Sequence, residues 1–152
     1  MSPAAAILDR LNDPAQAGIR PLITGLTPGS LEQASGRLGL TFAHADLAQC
    51  GGKADFLDRM AAALSFPDWF GHNWDAFADC MNDLSWRDAP GHVLVLTHAD
   101  DFLHADPGGF AIAIDILGDA AAAWAADAVP LWVFVDNREP PKPEPEPFPP
   151  SA

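Results

Sequence analysis

Phe66-Pro67-Asp68-Trp69-Phe70-Gly71-His72-Asn73-Trp74-Asp75-Ala76-Phe77-Ala78-Asp79-Cys80-Met81 is the stretch from which the rest of the chain is read. It begins as a turn, shaped by Pro67 and Gly71 among the large apolar groups Phe66, Trp69 and Phe70, and then starts a helix. Asn73 is placed to cap that helix, because its side-chain oxygen can accept a free N–H of the first turn. Beyond it Trp74, Phe77, Met81 and Leu84 recur at the spacing of one buried stripe on a 3.6-residue helix. At about 100° per residue the opposite side gathers Asp75, Asp79, Asn82 and Asp83. Like charges four residues apart, as Asp75 and Asp79 are, weaken an isolated helix by about 0.2–0.5 kcal/mol. Asp75 recovers part of this in the first turn, where the helix dipole favours an anion. No lysine or arginine falls between Phe66 and Trp86. Any one of these aspartates is explained by solvation alone. Three on one face, with no cation in the segment, point to a surface that meets positive charge.

Length and composition narrow the field. The 152 residues fit one domain, and 49% hydrophobic residues suffice for a core. Twenty-one acidic against 8 basic residues give a formal net charge of -13. That sign argues against nucleic acid and against an anionic membrane as partners, since both are polyanions. Two cysteines, Cys50 and Cys80, are too few for a disulfide scaffold, so reduced thiols and a cytoplasmic location are expected. The segment Met1 to Asn12 lacks a basic n-region and a long apolar h-region, so no signal peptide is expected. No uninterrupted apolar run has the length to span a bilayer.

Taken in order, Pro3 to Asn12 reads as a short amphipathic helix with Ala4, Ile7, Leu8 and Leu11 on one side. Gly18 to Gly29 is irregular, with Leu22 and Ile23 as a short extended piece. Ser30, with Gln33 three residues on, has the capping-box pattern and opens a second helix that stops near Gly36 or Gly39. Leu40 to Leu47 is a strand, Lys53 to Leu64 a helix, and the motif helix follows. Val93 to Thr97 and Leu131 to Val135 are continuously apolar, which fits strands covered on both faces, as in a parallel sheet. Between them lie a short acidic connection, Asp100 to Asp106, of about one helical turn, and a long helix from Pro107 or Gly108 through Ala126 whose stripe is Phe110, Ile114, Leu117, Ala121 and Trp124. The expected fold is α/β, a small three-stranded parallel sheet packed with helices and preceded by an N-terminal helical extension. The expected organisation is an extension over residues 1–39, a domain over 40–136 and a proline-rich, disordered tail over 137–152. Seven of the chain's 15 prolines fall between Pro140 and Pro150.

Three kinds of chemistry compete. Trp69 and Trp86 bracket the acidic helix and suit it as aromatic anchors of an interface. A metal site is the second candidate, from His72, Asp75 and Asp79, or from His98, Asp100, Asp101, His104 and Asp106. The latter set lies beyond a strand end, where open α/β sheets tend to bind ligands. Histidine with carboxylate can hold zinc or another divalent ion, although no motif such as HExxH is present. A metal-dependent enzyme using the His98–Asp106 cluster is therefore the alternative reading. Thiol catalysis is the third. The acidic surroundings of Cys80 raise a thiol pKa instead of lowering it, so a buried structural thiol is expected. With no GxSxG, P-loop or GxGxxG, the expectation is a non-enzyme with neither cofactor nor metal.

The quoted stretch, followed by Trp86, resembles the barstar family, intracellular inhibitors of a secreted ribonuclease. The pattern is Pro67, the acid Asp68, two aromatics, Gly71, any residue, Asn73, an apolar residue, Asp75, Ala76, two residues, Asp79 and Cys80. The order of elements matches too, over about Leu40 to Asp136. The resemblance implies that the motif helix and adjoining loop block the active site of a basic, extracellular-type, barnase-like ribonuclease, with carboxylates where RNA phosphates would lie. It implies Asp79 as the main phosphate mimic and Asp75 as a second ion-pair partner. It further implies Trp69 as an aromatic contact, Asn73 as a motif polar residue, Ser85 and Trp86 as loop positions, and a monomer when free. The chain departs from the pattern at Ala78, where the family has tryptophan, and at Ser85, where it has the loop glycine. It departs again at Ala122 or Ala123, where the last helix carries a glutamate. An interaction protein of this fold without nuclease inhibition is the second alternative.

Overall fold

The computed structural model describes residues 3–13, 15, 17–22, 26–67, 70–83 and 89–136, with side chains from Ile7 onward. Trp69, Ser85 and Trp86, with Leu84, Ile23 and the proline-rich segment 137–152, lie outside the described residues. The elements in order are α1 (Pro3–Leu11), β1 (Gly18–Pro21), α2 (Pro28–Leu38), β2 (Thr41–Asp46), α3 (Lys53–Leu64), α4 (Trp74–Asp83), β3 (His92–Thr97), α5 (Ala99–Ala105), α6 (Pro107–Ala126) and β4 (Leu131–Val135).

The strands form one parallel sheet in the order β1-β4-β3-β2. The expected three strands are thus corrected to four. β1 pairs along β4, with Gly18 opposite Trp132 and Pro21 opposite Val135. Its four residues hold a glycine at φ 107°, one apolar side chain, an arginine and a proline, so no periodic pattern announces it. Proline is tolerated there because the strand lies at the sheet edge.

Alternation along the strands sorts the core into two layers. Leu94, Leu96, Leu131 and Val133 face one way and pack with Phe56, Leu57, Met60, Phe77, Met81, Phe102 and Leu117 of α3 to α6. Val93, Val95, Trp132 and Phe134 face the other way and meet Ile7, Leu11, Leu31 and Ala34 of α1 and α2. Burial on both sides explains why β3 and β4 read as unbroken apolar runs. It also places the N-terminal helices across the sheet from α4.

Local details differ from the reading in instructive ways. The N-cap of α2 is Thr27, not Ser30: Thr27 Oγ1 accepts the Ser30 amide at 3.0 Å and Ser30 Oγ accepts the Thr27 amide at 3.0 Å. Pro28 occupies the first turn, where its missing N–H costs nothing, and Gly39 closes the helix at φ 76°. The acidic connection is a seven-residue helix, α5. α6 begins where expected, capped by Asp106, whose carboxylate accepts the Gly109 amide at 2.9 Å. By length and mean hydropathy, 1.4 over 18 residues, α6 alone would pass for a bilayer-crossing helix. Counting uninterrupted runs misses this, because Asp115 and Asp119 break the run while the alanines raise the mean. Here α6 packs against β1, β4, α4 and α5.

Candidate partner-binding face

α4 carries the expected acidic strip, and both of its sides follow from local chemistry. Asn73 Oδ1 accepts the Ala76 amide at 2.7 Å, and the Asn73 carbonyl accepts the Phe77 amide at 2.9 Å. The buried side consists of Phe77, Cys80 and Met81, all fully buried. Phe77 meets Phe56 of α3 edge-on at 5.5 Å, and Trp74 lies 6.0 Å from both rings. Lys53 Nζ stands 5.8 Å from the Trp74 ring. At the far end of the helix, Trp124 Nε1 of α6 donates to the Met81 carbonyl at 2.8 Å.

The opposite side is open. Asp75, Asp79, Asn82 and Asp83 are all exposed. The Asn82 amide donates to the Ala78 carbonyl at 2.7 Å. Among the described residues no cation pairs with Asp75, Asp79 or Asp83. The arrangement is a row of carboxylates without counter-ions among the described residues, whose field adds up in front of the helix. Cys80 lies beneath it, its thiol pushed up by burial and then by Asp79 and Asp83. Burial also pushes the Cys50 thiol up. Neither is set up as a nucleophile.

The histidines do not join the acidic strip. His72, at φ 55°, turns to α3, its Nε2 3.2 Å from Asp58 Oδ1. The His98–Asp106 cluster does not converge either. His98 Nδ1 is 2.9 Å from Asp46 Oδ1 on β2, Asp101 accepts the Gln49 amide at 2.7 Å, and Asp106 caps α6. Among the described residues no group of three or more His, Cys, Asp or Glu side chains is placed to hold a metal. Of the side chains proposed as ligands, His98, Asp101 and Asp106 are instead engaged in capping and in tying loops to strand ends.

Those ties have a pH signature. Burial pushes the Asp46 carboxyl up, but hydrogen bonds from His98, the Ala48 amide and Thr97, with the His98 charge, hold it below its usual range. Asp55 is held low by Arg59, at 2.8 and 3.1 Å, and by the Gly51 amide. Arg59 also donates to the carbonyls of Asp46 and Ala48, closing the loop after β2. A carboxyl depressed in the folded state binds its proton less readily than in the unfolded chain. Its contribution is therefore present at neutral pH and is lost as pH falls below about 5. Both groups are partly exposed, so solvent screens the effect. The thermal midpoint should drop on acidification, and Asp46→Asn with Asp55→Asn should flatten that drop in a pH series of melts.

Of the six expected contact residues, the described structure brings Asn73, Asp75 and Asp79 together on one helix. Ala122 and Ala123 are exposed on α6, with Asp119 one turn earlier. Trp124 was read only as part of a buried stripe. Its indole N–H has no periodic signature, and its role as a donor emerges only when α4 and α6 are side by side. Compared with known proteins, the model of a family described as Barstar (barnase inhibitor) matches residues 40–136. No curated protein matches the chain significantly.

Proposed function

The chain belongs to the barstar family, and from that premise we propose that it binds and inhibits a basic, barnase-like ribonuclease by presenting Asp75 and Asp79 to the enzyme's phosphate-binding groups. Members of that family are inhibitors, not enzymes. The observation that carries the reading is the exposed row of aspartates, without a counter-ion among the described residues, on a helix hydrogen-bonded near both of its ends. Residues 40–136 hold 15 of the 21 acidic residues and 3 of the 8 basic ones, so the attraction is centred on the family-matched part. Long-range charge of this kind speeds association and makes it salt-sensitive. The protein acts in the cytoplasm as a monomer when free, with Trp69, Ser85 and Trp86 completing the contact around Asn73. The test is whether the chain and a substrate-like polyanion exclude each other from the enzyme's cleft. A second reading, an interaction protein that keeps the fold without nuclease inhibition, is favoured by alanine at 78, 122 and 123. It predicts binding without loss of ribonuclease activity.

A further inference from the structure

We propose that Trp124 is a positioning residue for the acidic helix: its indole N–H ties the last turn of α4 to α6 and fixes the direction in which Asp75 and Asp79 point. The inference rests on the ribonuclease-binding reading above. Met81 is among the last four described residues of α4, and the carbonyls of a helix's last turn are the ones that take partners from outside it. Trp124 Nε1 supplies one at 2.8 Å. Trp124 is itself held firmly. Its carbonyl accepts the amides of Asp127 and Val129, both at 2.9 Å, where α6 ends. Its ring stands edge-on to His92 at 5.4 Å, and His92 Nδ1 lies 2.8 Å from Thr41 Oγ1. The helix end is thus linked through α6 to β3 and β2. The Asn73 cap and the Phe56–Phe77 contact hold the other end. Carboxylates carried between two fixed ends need little ordering when a partner docks, and that lowers the entropic cost of binding.

The test uses the full chain with Trp124→Phe, which keeps an aromatic ring and removes the donor. In the free protein, amide exchange in the last turn of α4 should rise about three- to tenfold, the worth of one net hydrogen bond. The thermal midpoint should fall by only about 2–4 °C, and amides of α3, β3 and α6 that exchange by local opening should stay as in the wild type. In complex with barnase, dissociation should quicken by a similar factor with association unchanged. Unchanged α4 exchange, or a rise spread evenly over all elements, overturns the proposal. Asp79→Ala is measured alongside. If it weakens binding while Trp124→Phe dissociates like the wild type, this proposal falls and the binding reading stands. If Asp79→Ala binds like the wild type, the binding reading falls, and the exchange data alone decide whether Trp124 holds α4.

Discussion

Replacing Asp79 by alanine should lower affinity for the proposed ribonuclease partner by about 2–5 kcal/mol, or about 30- to 5,000-fold, while the protein should still unfold cooperatively near its normal midpoint. That range is the general cost of truncating one partner of a buried, hydrogen-bonded charge pair, and the barnase–barstar complex is itself an example of such pairs, with coupling energies of about 1.5–7 kcal/mol. The asymmetry between binding and folding follows from where Asp79 stands. Its side chain is exposed, it makes no ion pair among the described residues, and the turn beneath it is held by Phe77, Cys80 and Met81. Relieving the repulsion with Asp75 even favours the helix by a few tenths, about 0.2–0.5 kcal/mol. In the proposed complex the same carboxylate would face cations from which water has been removed, and truncation would leave those cations unpaired. Calorimetric titration beside a thermal melt separates the two effects. An Asp79→Ala protein that binds like the wild type removes the carboxylate from the account.

Removing residues 1–39 should abolish cooperative folding. The deletion takes away β1 and both helices that cover the second face of the sheet, and exposes Val93, Val95, Trp132 and Phe134. Each buried side chain of this size contributes about 1.5–3 kcal/mol, so four amount to about 6–12 kcal/mol. A domain's whole net stability is about 5–15 kcal/mol. The comparison decides the sign: the remaining layer cannot absorb such a loss. The truncated chain should bind a hydrophobic dye and lose its sharp melt, and Phe134→Ala in the full chain should cost about 3–5 kcal/mol. A chain starting at residue 40 that melts cooperatively at the full-length midpoint would show the extension to be dispensable.

Much of this fold is legible because its signals are local. Asn73 announces the start of α4, and the apolar runs of β3 and β4 declare strands buried on both faces. α3 and α6 run between the residues their periodicity marks. β1 escapes because Gly18–Pro21 has one apolar side chain and becomes a strand only through pairing with β4, far along the chain. The cap of α2 was misplaced because Ser30 with Gln33 fits the capping-box pattern, whereas the observed pair completes the box with Ser30, a residue type the pattern does not call for. Pro28 at the first position of the helix was the clue that settles it. The acidic face of α4 was legible for the same reason as its core face, since both follow from one period. The hydrogen bond from Trp124 to the Met81 carbonyl was not legible, because the two residues meet only in three dimensions. The clusters of histidine and aspartate misled in the opposite direction. Crowding in sequence near His98 became hydrogen bonds to Asp46 and to loop amides once the chain folded.

The most direct measurement of the central claim is the apparent Kd of the complex with barnase as a single-stranded oligodeoxynucleotide is added. The nucleotide has the enzyme's preferred charge pattern but lacks the 2′-hydroxyl needed for cleavage. If Asp75 and Asp79 stand where phosphates bind, apparent Kd rises in step with occupancy of the cleft, and no ternary complex forms. An apparent Kd that stays constant as the cleft fills, with enzyme, nucleotide and this protein recovered together, would contradict it.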